Sequence, residues 1–336
     1  MVELEKRGGR FALINYGIFE TKDYKPVNKP NEAWENILKL PDQELASNIQ
    51  ELIKRAGTNS TEVVASIPSY STFATVIEMP YISNDDLARA IPFEAKKYIP
   101  IPLDEVVLEW SIVGVADGQK SESGKPSVVE VFLAAVPKDE TVRYQNIMKA
   151  AKLKLKALEL ENSALIRAIL GNDLSPTVII NIGGRSTSIM IVNRGYERLS
   201  HNYEIGGFEI TKAISQSLNI SLEKAEELKR KFGLKTSEDN IISESMISLI
   251  DMMVFETQKT ISNYEETNKE KIVNIALIGG LANMPGLIDH FRTKLNREVI
   301  LGNSFSRLTY PGELKPLIAE LNSIFSVAIG LAMREV

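Results

Sequence analysis

The chain has 336 residues, which predicts about two domains, and its 44% hydrophobic and 25% charged residues are typical of a soluble globular protein. It carries 39 lysines and arginines against 44 aspartates and glutamates, so the net charge of -5 excludes a global basic field that would attract nucleic acid. With no cysteine and two histidines far apart, His201 and His290, the sequence excludes disulfides, thiolate zinc sites and cysteine nucleophiles and assigns no metal ligand.

The first 74 residues alternate between strands and a helix. Residues 10–19 are predicted to form a strand after a Gly8-Gly9 turn, with only a short charged run before it. Leucine and isoleucine at helical spacing predict a helix over residues 44–56, and the apolar run at residues 63–67 predicts a buried strand that Pro68 ends. This pattern is typical of an α/β layer.

Residues 75–156 have a different pattern. A helix is predicted over residues 85–98, and two strands at residues 106–113 and 128–136 are joined by a polar loop at residues 117–127. Paired strands with flanking helices predict a small α/β subdomain inserted into the first domain.

The central feature is a short hairpin over residues 178–192. Two runs of β-branched and other apolar residues flank a polar turn at residues 183–187, so the strands are predicted to be buried on both faces. Glycines let the backbone approach a ligand, and Ser186, Thr187 and successive amides supply donors suited to phosphate oxygens. The alternative is an ordinary hairpin whose turn is rich in glycine and serine.

Two further glycine pairs follow, each at the end of a predicted strand. Gly206-Gly207 follows a strand at residues 197–205, and Gly279-Gly280 joins a strand at residues 272–278 to a helix. Such a junction directs backbone amides and the positive helix end toward a ligand, although strand ends commonly need glycine for turns alone. Further helices are predicted over residues 209–218, 225–232, 247–264, 287–295 and 323–334.

No membrane span is predicted. No uninterrupted apolar run reaches the roughly 18 residues that cross a bilayer, and residues 1–7 lack the apolar core of a signal peptide. No amphipathic or basic tail that would lie on a membrane surface follows the last predicted helix. We therefore expect a cytoplasmic protein without direct membrane insertion.

The order of the glycine motifs resembles the second half of the actin, FtsA and DnaK ATPase superfamily. Asn-x-Gly-Gly-x-Ser-Thr starts at Asn181, Gly-Gly-Phe-Glu-Ile-Thr at Gly206, a charged helical stretch at Ala225, and Gly-Gly-Leu-Ala-Asn-Met-Pro-Gly at Gly279. By this resemblance the fold is α/β and actin-like, with two domains around a nucleotide cleft and an inserted small α/β subdomain.

The inserted segment is similar to that of the PilM family of type IV pilus assembly proteins. The similarity rests on Tyr-Ile-Pro-Ile-Pro-Leu from Tyr98, on Glu109-Trp110 and on Leu-Glu-Leu-Glu from Leu158, and with the glycine motifs it covers nearly the whole chain. It divides the chain into a first actin-like subdomain (residues 1–74, 157–175 and 321–336), the inserted subdomain (75–156), a second actin-like subdomain (176–210 and 272–320) and a helical nucleotide-side subdomain (211–271).

The resemblance implies ATP or ADP with Mg²⁺ as a ligand. The hairpin turn corresponds to the second phosphate loop, Glu226 and Lys229 to the ribose and adenine contacts, and the last glycine loop to the floor beneath the nucleoside. The residues implied are Asn181, Gly183, Gly184, Ser186, Thr187, Gly206, Gly207, Glu226, Lys229, Gly279, Gly280 and Ala282. The alternative for Glu226 and Lys229 is an exposed ion pair on a charged helix.

Glu161 lies where this superfamily often places a side chain that orients the attacking water, and it is equally an acid that offsets a helix dipole. Two departures from the family argue against hydrolysis. The chain is expected to start after the family's first strand and first phosphate loop. Asn181 stands where the family usually has aspartate, and an amide is no anionic partner for Mg²⁺ or its waters. We therefore expect at most a weak ATPase.

The resemblance implies a cytoplasmic assembly protein that binds the N-terminal cytoplasmic segment of an inner-membrane partner, PilN, and other cytoplasmic pilus proteins. This partner recruits it to the inner face of the membrane, and ATP is a structural or switching ligand. By the resemblance the groove lies between the inserted subdomain and the first domain, near residues 80–110, where Ile99, Ile101 and Trp110 either line it or pack in the core. The alternatives are an active ATPase with nucleotide-driven domain closure and an FtsA-like filament-forming protein.

Overall fold

The computed structural model describes residues 1–19, 40–115, 128–235 and 241–335, so the predicted polar loop at residues 117–127 lies outside the described residues. The strands among them are β1 (Val2–Arg7), β2 (Arg10–Tyr16), β3 (Glu62–Ile67), β4 (Phe73–Pro80), β5 (Val106–Val115), β6 (Val128–Pro137), β7 (Lys154–Leu160), β8 (Thr177–Ile182), β9 (Thr187–Asn193), β10 (Tyr196–Tyr203), β11 (Asn274–Ile278), β12 (Ile300–Leu301) and β13 (Leu308–Thr309). The α-helices are α1 (Asp42–Ala56), α2 (Asn84–Ala95), α3 (Lys138–Ala150), α4 (Glu161–Ile169), α5 (Gly207–Leu218), α6 (Leu222–Phe232), α7 (Ile241–Asn268), α8 (Leu287–Leu295) and α9 (Ile318–Ala332).

The predicted hairpin forms the middle of a five-stranded sheet with the order β10-β9-β8-β11-β12. β8 is antiparallel to β9 and parallel to β11, and β9 is buried along its whole length. One face, with Ile180, packs against α5, α7 and α8, and the other face, with Ile179, packs against α4. The prediction that both faces are buried is therefore confirmed.

The chain opens with a hairpin, and this corrects the prediction that only a charged run precedes the strand at Arg10. Residues Val2–Arg7 form β1, which pairs antiparallel with β2 across the Gly8-Gly9 turn. Val2 and Leu4 alternate with glutamates and pack on the cluster around Phe325. The period of two places both apolar side chains on one face, which outweighs the local charge.

The sheet that contains this hairpin has the order β1-β2-β13, and β13 pairs in parallel with β2. β13 falls within residues 272–320, which the sequence assigned to the second actin-like subdomain. The division into subdomains stays a proposal. A separate two-stranded sheet is formed by β3 and β7, which pair in parallel. The end of β7 leads directly into α4.

The inserted sheet has the antiparallel order β4-β6-β5. Along β6, Val129, Val131, Leu133 and Ala135 are buried in a cluster that includes Leu87 and Ile91 of α2. Because side chains alternate along a strand, Glu130, Phe132, Ala134 and Val136 share the opposite face. β5 is an edge strand of this sheet.

One helical stretch in the described ranges, Gly312–Ala332, is long and apolar enough by length and composition to cross a membrane, with a mean hydropathy of 1.4 and 39% of the segment buried. Its α-helical part, α9, packs against α4 so closely that a Cβ on Gly330 would lie 1.9 Å from the Ala164 carbonyl oxygen. Phe325 and Ile329 are buried in the adjoining cluster. The helix thus contributes to the hydrophobic core between β2, α4 and the end of the chain.

Candidate functional site

The hairpin turn and the last glycine loop meet at one edge of the central sheet. β8 and β11 are parallel neighbours, so the loops that follow them lie side by side. Gly279 has a φ of +93°, and a Cβ there would lie 2.4 Å from the Ile182 carbonyl oxygen and 2.7 Å from Asn181 Oδ1. Only glycine fits at this contact.

The start of α5 is tied to the same turn. The backbone amides of Gly207 and Phe208 donate to the carbonyl oxygens of Gly183 (2.9 Å) and Gly184 (2.8 Å). A Cβ on Gly206 would lie 2.6–2.8 Å from the backbone of this turn, so Gly206 permits the close approach. These two amides of the helix start are satisfied within the protein and do not face a ligand.

Lys229 joins α6 to α5 through buried hydrogen bonds and forms an ion pair with Glu226 of its own helix. Its Nζ donates to the Gly207 carbonyl oxygen (2.9 Å) and to Thr211 Oγ1 (2.8 Å) and lies 2.6 Å from Glu226 Oε2, and its side chain is 6% exposed. Burial lowers the pKa of Lys229, against the attraction of Glu226. Burial alone would raise the pKa of Glu226, but Lys229 and hydrogen bonds that include Thr211 lower it. The sequence left open an exposed ion pair as the alternative for these two residues. The structure excludes this for Lys229, whose side chain is buried.

Glu161, at the start of α4, and Asn181, on β8, contact each other. Asn181 Nδ2 donates to Glu161 Oε1 (3.3 Å), and the backbone amide of Ser69 donates to Glu161 Oε2 (3.1 Å). Burial raises the pKa of the Glu161 carboxyl, although both hydrogen bonds act in the opposite direction. Glu161 is also the first residue of α4, so both of its readings from sequence stay open.

The residues of the predicted nucleotide site differ in how far they are free to contact a ligand. A Cβ on Gly184 or Gly280 would meet no atom within 4 Å, so this backbone is open to a ligand. Thr187 Oγ1 donates to the Ile205 carbonyl oxygen (2.6 Å), and Lys229 is engaged as described above. Within the described ranges no three histidine, aspartate or glutamate side chains group as metal ligands. The Ser186 carbonyl oxygen accepts a hydrogen bond from the Gly183 backbone amide, and the Ala282 backbone amide donates to the Gly279 carbonyl oxygen. These backbone groups are therefore also bonded within the protein.

Replacing Asn181 by aspartate is expected to lower the free energy of unfolding by about 1–3 kcal/mol at pH 8. The 3.3 Å hydrogen bond would become a contact between two carboxylates. One of them would then have a raised pKa in the folded state, so the penalty disappears below the unfolded pKa of about 4 and grows as the pH rises. Urea unfolding at pH 5 and pH 8 measures this. Asn181→Leu is the control, because it removes the same hydrogen bond without adding a carboxylate. An equal loss of stability for Asn181→Asp at both pH values would contradict the expectation.

A second site is a cavity of 790 Å³ between the inserted sheet and the rest of the molecule, which we call the insert cavity. Strands β3, β5, β6, β7 and β10 and helices α3 and α4 contribute to its walls. It is lined by Ile67, Val107, Glu109, Trp110, Ser111, Phe132, Ala134, Val136, Thr141, Ala157, Leu158, Glu159, Leu160, Ser163, Ile166, Arg167, Gly171, Gly195, Tyr196, Glu197 and Arg334.

Charged groups at the floor of the insert cavity are held by one another. Arg167 binds Glu159 with both terminal nitrogens and donates from Nη1 to the Gly330 carbonyl oxygen (2.7 Å). Arg334 Nη1 lies 3.5 Å from Glu159 Oε1. This ion cluster connects β7, α4 and the end of the chain.

Residues 80–110, near which the groove was predicted, form one wall of the insert cavity. Trp110 lines it and also packs on the core of the inserted subdomain, whereas Ile99 is buried in that core and Ile101 packs against it. The core role that the sequence left open for Ile99 and Ile101 is therefore confirmed. The wall from β10 was missed because this strand is more than 50 residues away from residues 80–110 along the chain, and no local motif marks its approach.

Comparisons with known proteins agree with this architecture. The family model for the type IV pilus assembly protein PilM matches residues 2–336. A solved PilM-PilN type IV pilus biogenesis complex superposes with a TM-score of 0.80 at 21% identity, and the match covers 99% of this chain and 94% of that one. The predicted actin-like fold is thereby confirmed.

Curated relatives come from bacterial cell division. FtsA of Bacillus subtilis (strain 168) is 31% identical over 142 residues, which are 36% of this chain and 32% of FtsA. FtsA of Enterococcus faecalis (strain ATCC 700802 / V583) is 26% identical over 256 residues, 68% of this chain and 57% of FtsA. The chain thus spans between a third and three fifths of these relatives' length, and the predicted kinship with FtsA is confirmed.

Proposed function

Because the chain belongs to the type IV pilus assembly protein PilM family, we propose that it binds the N-terminal cytoplasmic segment of a PilN-like inner-membrane protein during pilus assembly. The insert cavity is the site of binding. A solved relative of the same fold is a PilM-PilN complex, which supports this partner. Binding would hold the protein on the cytoplasmic face of the membrane and position it for other pilus proteins.

The single observation that carries this proposal is the insert cavity itself. Its volume of 790 Å³ exceeds what a water cluster needs and suits several residues of an extended peptide. The walls combine apolar side chains, among them Trp110, Phe132 and Leu158, with five charged residues. Apolar walls with a few charged groups are typical of sites that fix a short segment.

The edge of the inserted sheet adds a second means of recognition. Within the part of the chain that the structure describes, β5 pairs with β6 alone, and it contributes Val107, Glu109 and Ser111 to the cavity lining. An edge strand offers unpaired backbone groups, with which an extended segment can form ladder hydrogen bonds. The bound segment would then be a strand whose alternate side chains enter the cavity.

Isothermal titration with a synthetic N-terminal segment of the PilN-like protein tests the proposal. We expect saturable binding with one segment per chain and a negative heat-capacity change, because apolar surface is buried. A peptide of the same composition in scrambled order is the control and should not bind. Equal heats from both peptides would contradict the proposal.

ATP or ADP is a second ligand of this proposal, in a structural or switching role. Its support is the open backbone at Gly184 and Gly280 beside the junction of the glycine loops. Because Asn181 stands where an aspartate is expected and Lys229 is bonded within the protein, we expect weak binding and phosphate release near background. Titration of nucleotide with and without Mg²⁺ measures the binding, and released phosphate is measured in the same mixtures. A strict Mg²⁺ requirement for binding would contradict the expectation of weak, metal-independent binding.

A further inference from the structure

Arg185 lies in the hairpin turn between β8 and β9, and it was not among the residues that the sequence assigned to the nucleotide. In the described ranges its guanidinium has two contacts. Nη2 donates to Glu204 Oε1 (3.4 Å), and Cζ lies 5.0 Å from the centre of the Tyr70 ring. The side chain is 20% exposed. Because a guanidinium carries several N–H donors, most of those of Arg185 are not used within the protein.

The unused donors of Arg185 are accessible. The side-chain atoms that are buried without a partner in the described ranges include no nitrogen of Arg185. The neighbouring Gly184 is exposed, and a Cβ there would meet no atom within 4 Å. None of the backbone hydrogen bonds described for this turn uses the amide of Gly184 or Arg185. The turn therefore presents open backbone amides and a guanidinium on adjacent residues, a combination that suits an anion.

The present contacts of Arg185 hold it weakly. The side chain of Glu204 is 56% exposed, so water screens the ion pair, which then contributes little. Tyr70 is 37% exposed, and a cation–π contact at an exposed ring is also modest. A phosphate offers two oxygens to the planar guanidinium and forms shorter, stronger hydrogen bonds. An anion at the turn can therefore take the place of both partners.

The charged residues that the sequence assigned to this site are already bonded. Lys229 donates to two oxygens of α5 and pairs with Glu226, and Glu161 accepts from two N–H groups. Arg185 is thus a cation at this edge of the sheet that is free to bind a ligand. A guanidinium keeps its charge over the whole pH range in which proteins fold, so it binds phosphate without a metal ion.

We propose that Arg185 binds a phosphate group of the nucleotide at the hairpin turn and releases Tyr70 when it does so. This inference rests on the nucleotide as second ligand of the proposed function, and it names the group that recognises the phosphate. The site then distinguishes ADP from adenosine without Mg²⁺. Tyr70 lies in the 3₁₀ turn Ser69–Ser71, directly before β4, so the exchange also removes a contact between the hairpin turn and the start of the inserted sheet.

Ligand-observed NMR titration without Mg²⁺ tests the assignment, because it measures affinities into the millimolar range. We expect Arg185→Gln to weaken the binding of ADP about tenfold or more and to leave the affinity for adenosine within about twofold. Arg55→Gln is the matched control. Arg55 is on α1, pairs with Glu51 and has a side chain that is 76% exposed, so this variant makes the same change in net charge away from the turn. It should bind ADP within about twofold of the wild-type chain.

Replacing Tyr70 by leucine tests the exchange without a change in charge. Because Arg185 would no longer be held by the ring, Tyr70→Leu should strengthen ADP binding about two- to fivefold. The same replacement in the Arg185→Gln background should have no effect, since the two residues act through one contact. An equal gain in both backgrounds, or no gain in either, would overturn the exchange.

The remaining outcomes separate this inference from the proposed function. Equal ADP affinity of the wild-type chain and Arg185→Gln would overturn the role of Arg185 and leave the nucleotide as a ligand. A parallel loss of ADP and adenosine binding would also overturn it, because the variant would then have disturbed the whole site. Absence of ADP binding to the wild-type chain would overturn both the role of Arg185 and the nucleotide ligand.

Discussion

Replacing Gly279 by alanine is expected to lower the free energy of unfolding by about 3 kcal/mol or more, since left-handed backbone strain and overpacking add. The φ of +93° is unfavourable for any residue with a Cβ, and the new carbon would lie 2.4 Å from the Ile182 carbonyl oxygen. Either the last glycine loop or the end of β8 must move. Because this contact holds the two loops together, the proposed nucleotide site would be lost as well.

The neighbouring glycine provides a matched control. A Cβ on Gly280 would meet no atom within 4 Å, so Gly280→Ala should change stability by less than about 1 kcal/mol. Urea unfolding of both variants measures the difference. Equal stabilities would contradict the close contact between the two loops.

Replacing Ala134 by tryptophan is expected to reduce the affinity for the PilN-like segment about 100-fold or more, which corresponds to roughly 3 kcal/mol. Ala134 lies on the face of β6 that points away from the core of the inserted subdomain, and it lines the insert cavity. An indole there would occupy the space of an apolar side chain of the segment. The cavity has room for the indole, so the free protein should keep its thermal unfolding midpoint.

The control for this variant is a tryptophan outside the insert cavity. Val142 on α3 is 52% exposed and is absent from the cavity lining, so Val142→Trp should leave the affinity within about threefold. Isothermal titration of both variants with the same peptide makes the comparison. Unchanged binding by Ala134→Trp would place the segment elsewhere on the protein.

Local features could be predicted from the sequence because their causes are local. Apolar runs around a glycine turn predicted the buried hairpin of β8 and β9. The glycine pairs indicated where loops approach one another. That Gly279 meets Ile182 required the parallel pairing of β8 and β11, which joins residues about 100 apart.

Features that depend on the tertiary structure could not be predicted. Glu197 is one of 44 acidic residues, and nothing adjacent to it indicates that β10 would bury it beside a cavity. The alternative that made Lys229 half of an exposed ion pair rested on the charge of its helix, yet its side chain is buried against α5. Residues Val2–Arg7 form a strand because α9, from the other end of the chain, supplies the surface on which Val2 and Leu4 pack.

Site-directed cross-linking tests the central claim, that the PilN-like segment occupies the insert cavity. The chain has no cysteine, so Ser111→Cys in the cavity and Thr293→Cys on α8 each introduce a single thiol at an exposed position. A segment with a thiol-reactive group is incubated with each variant, and the cross-linked product is measured by mass spectrometry. We predict rapid, saturable cross-linking of the Ser111→Cys variant that excess unmodified segment blocks, and only slow, unsaturable reaction of the Thr293→Cys variant. Equal reaction of the two variants, or no effect of the competing segment, would contradict the assignment.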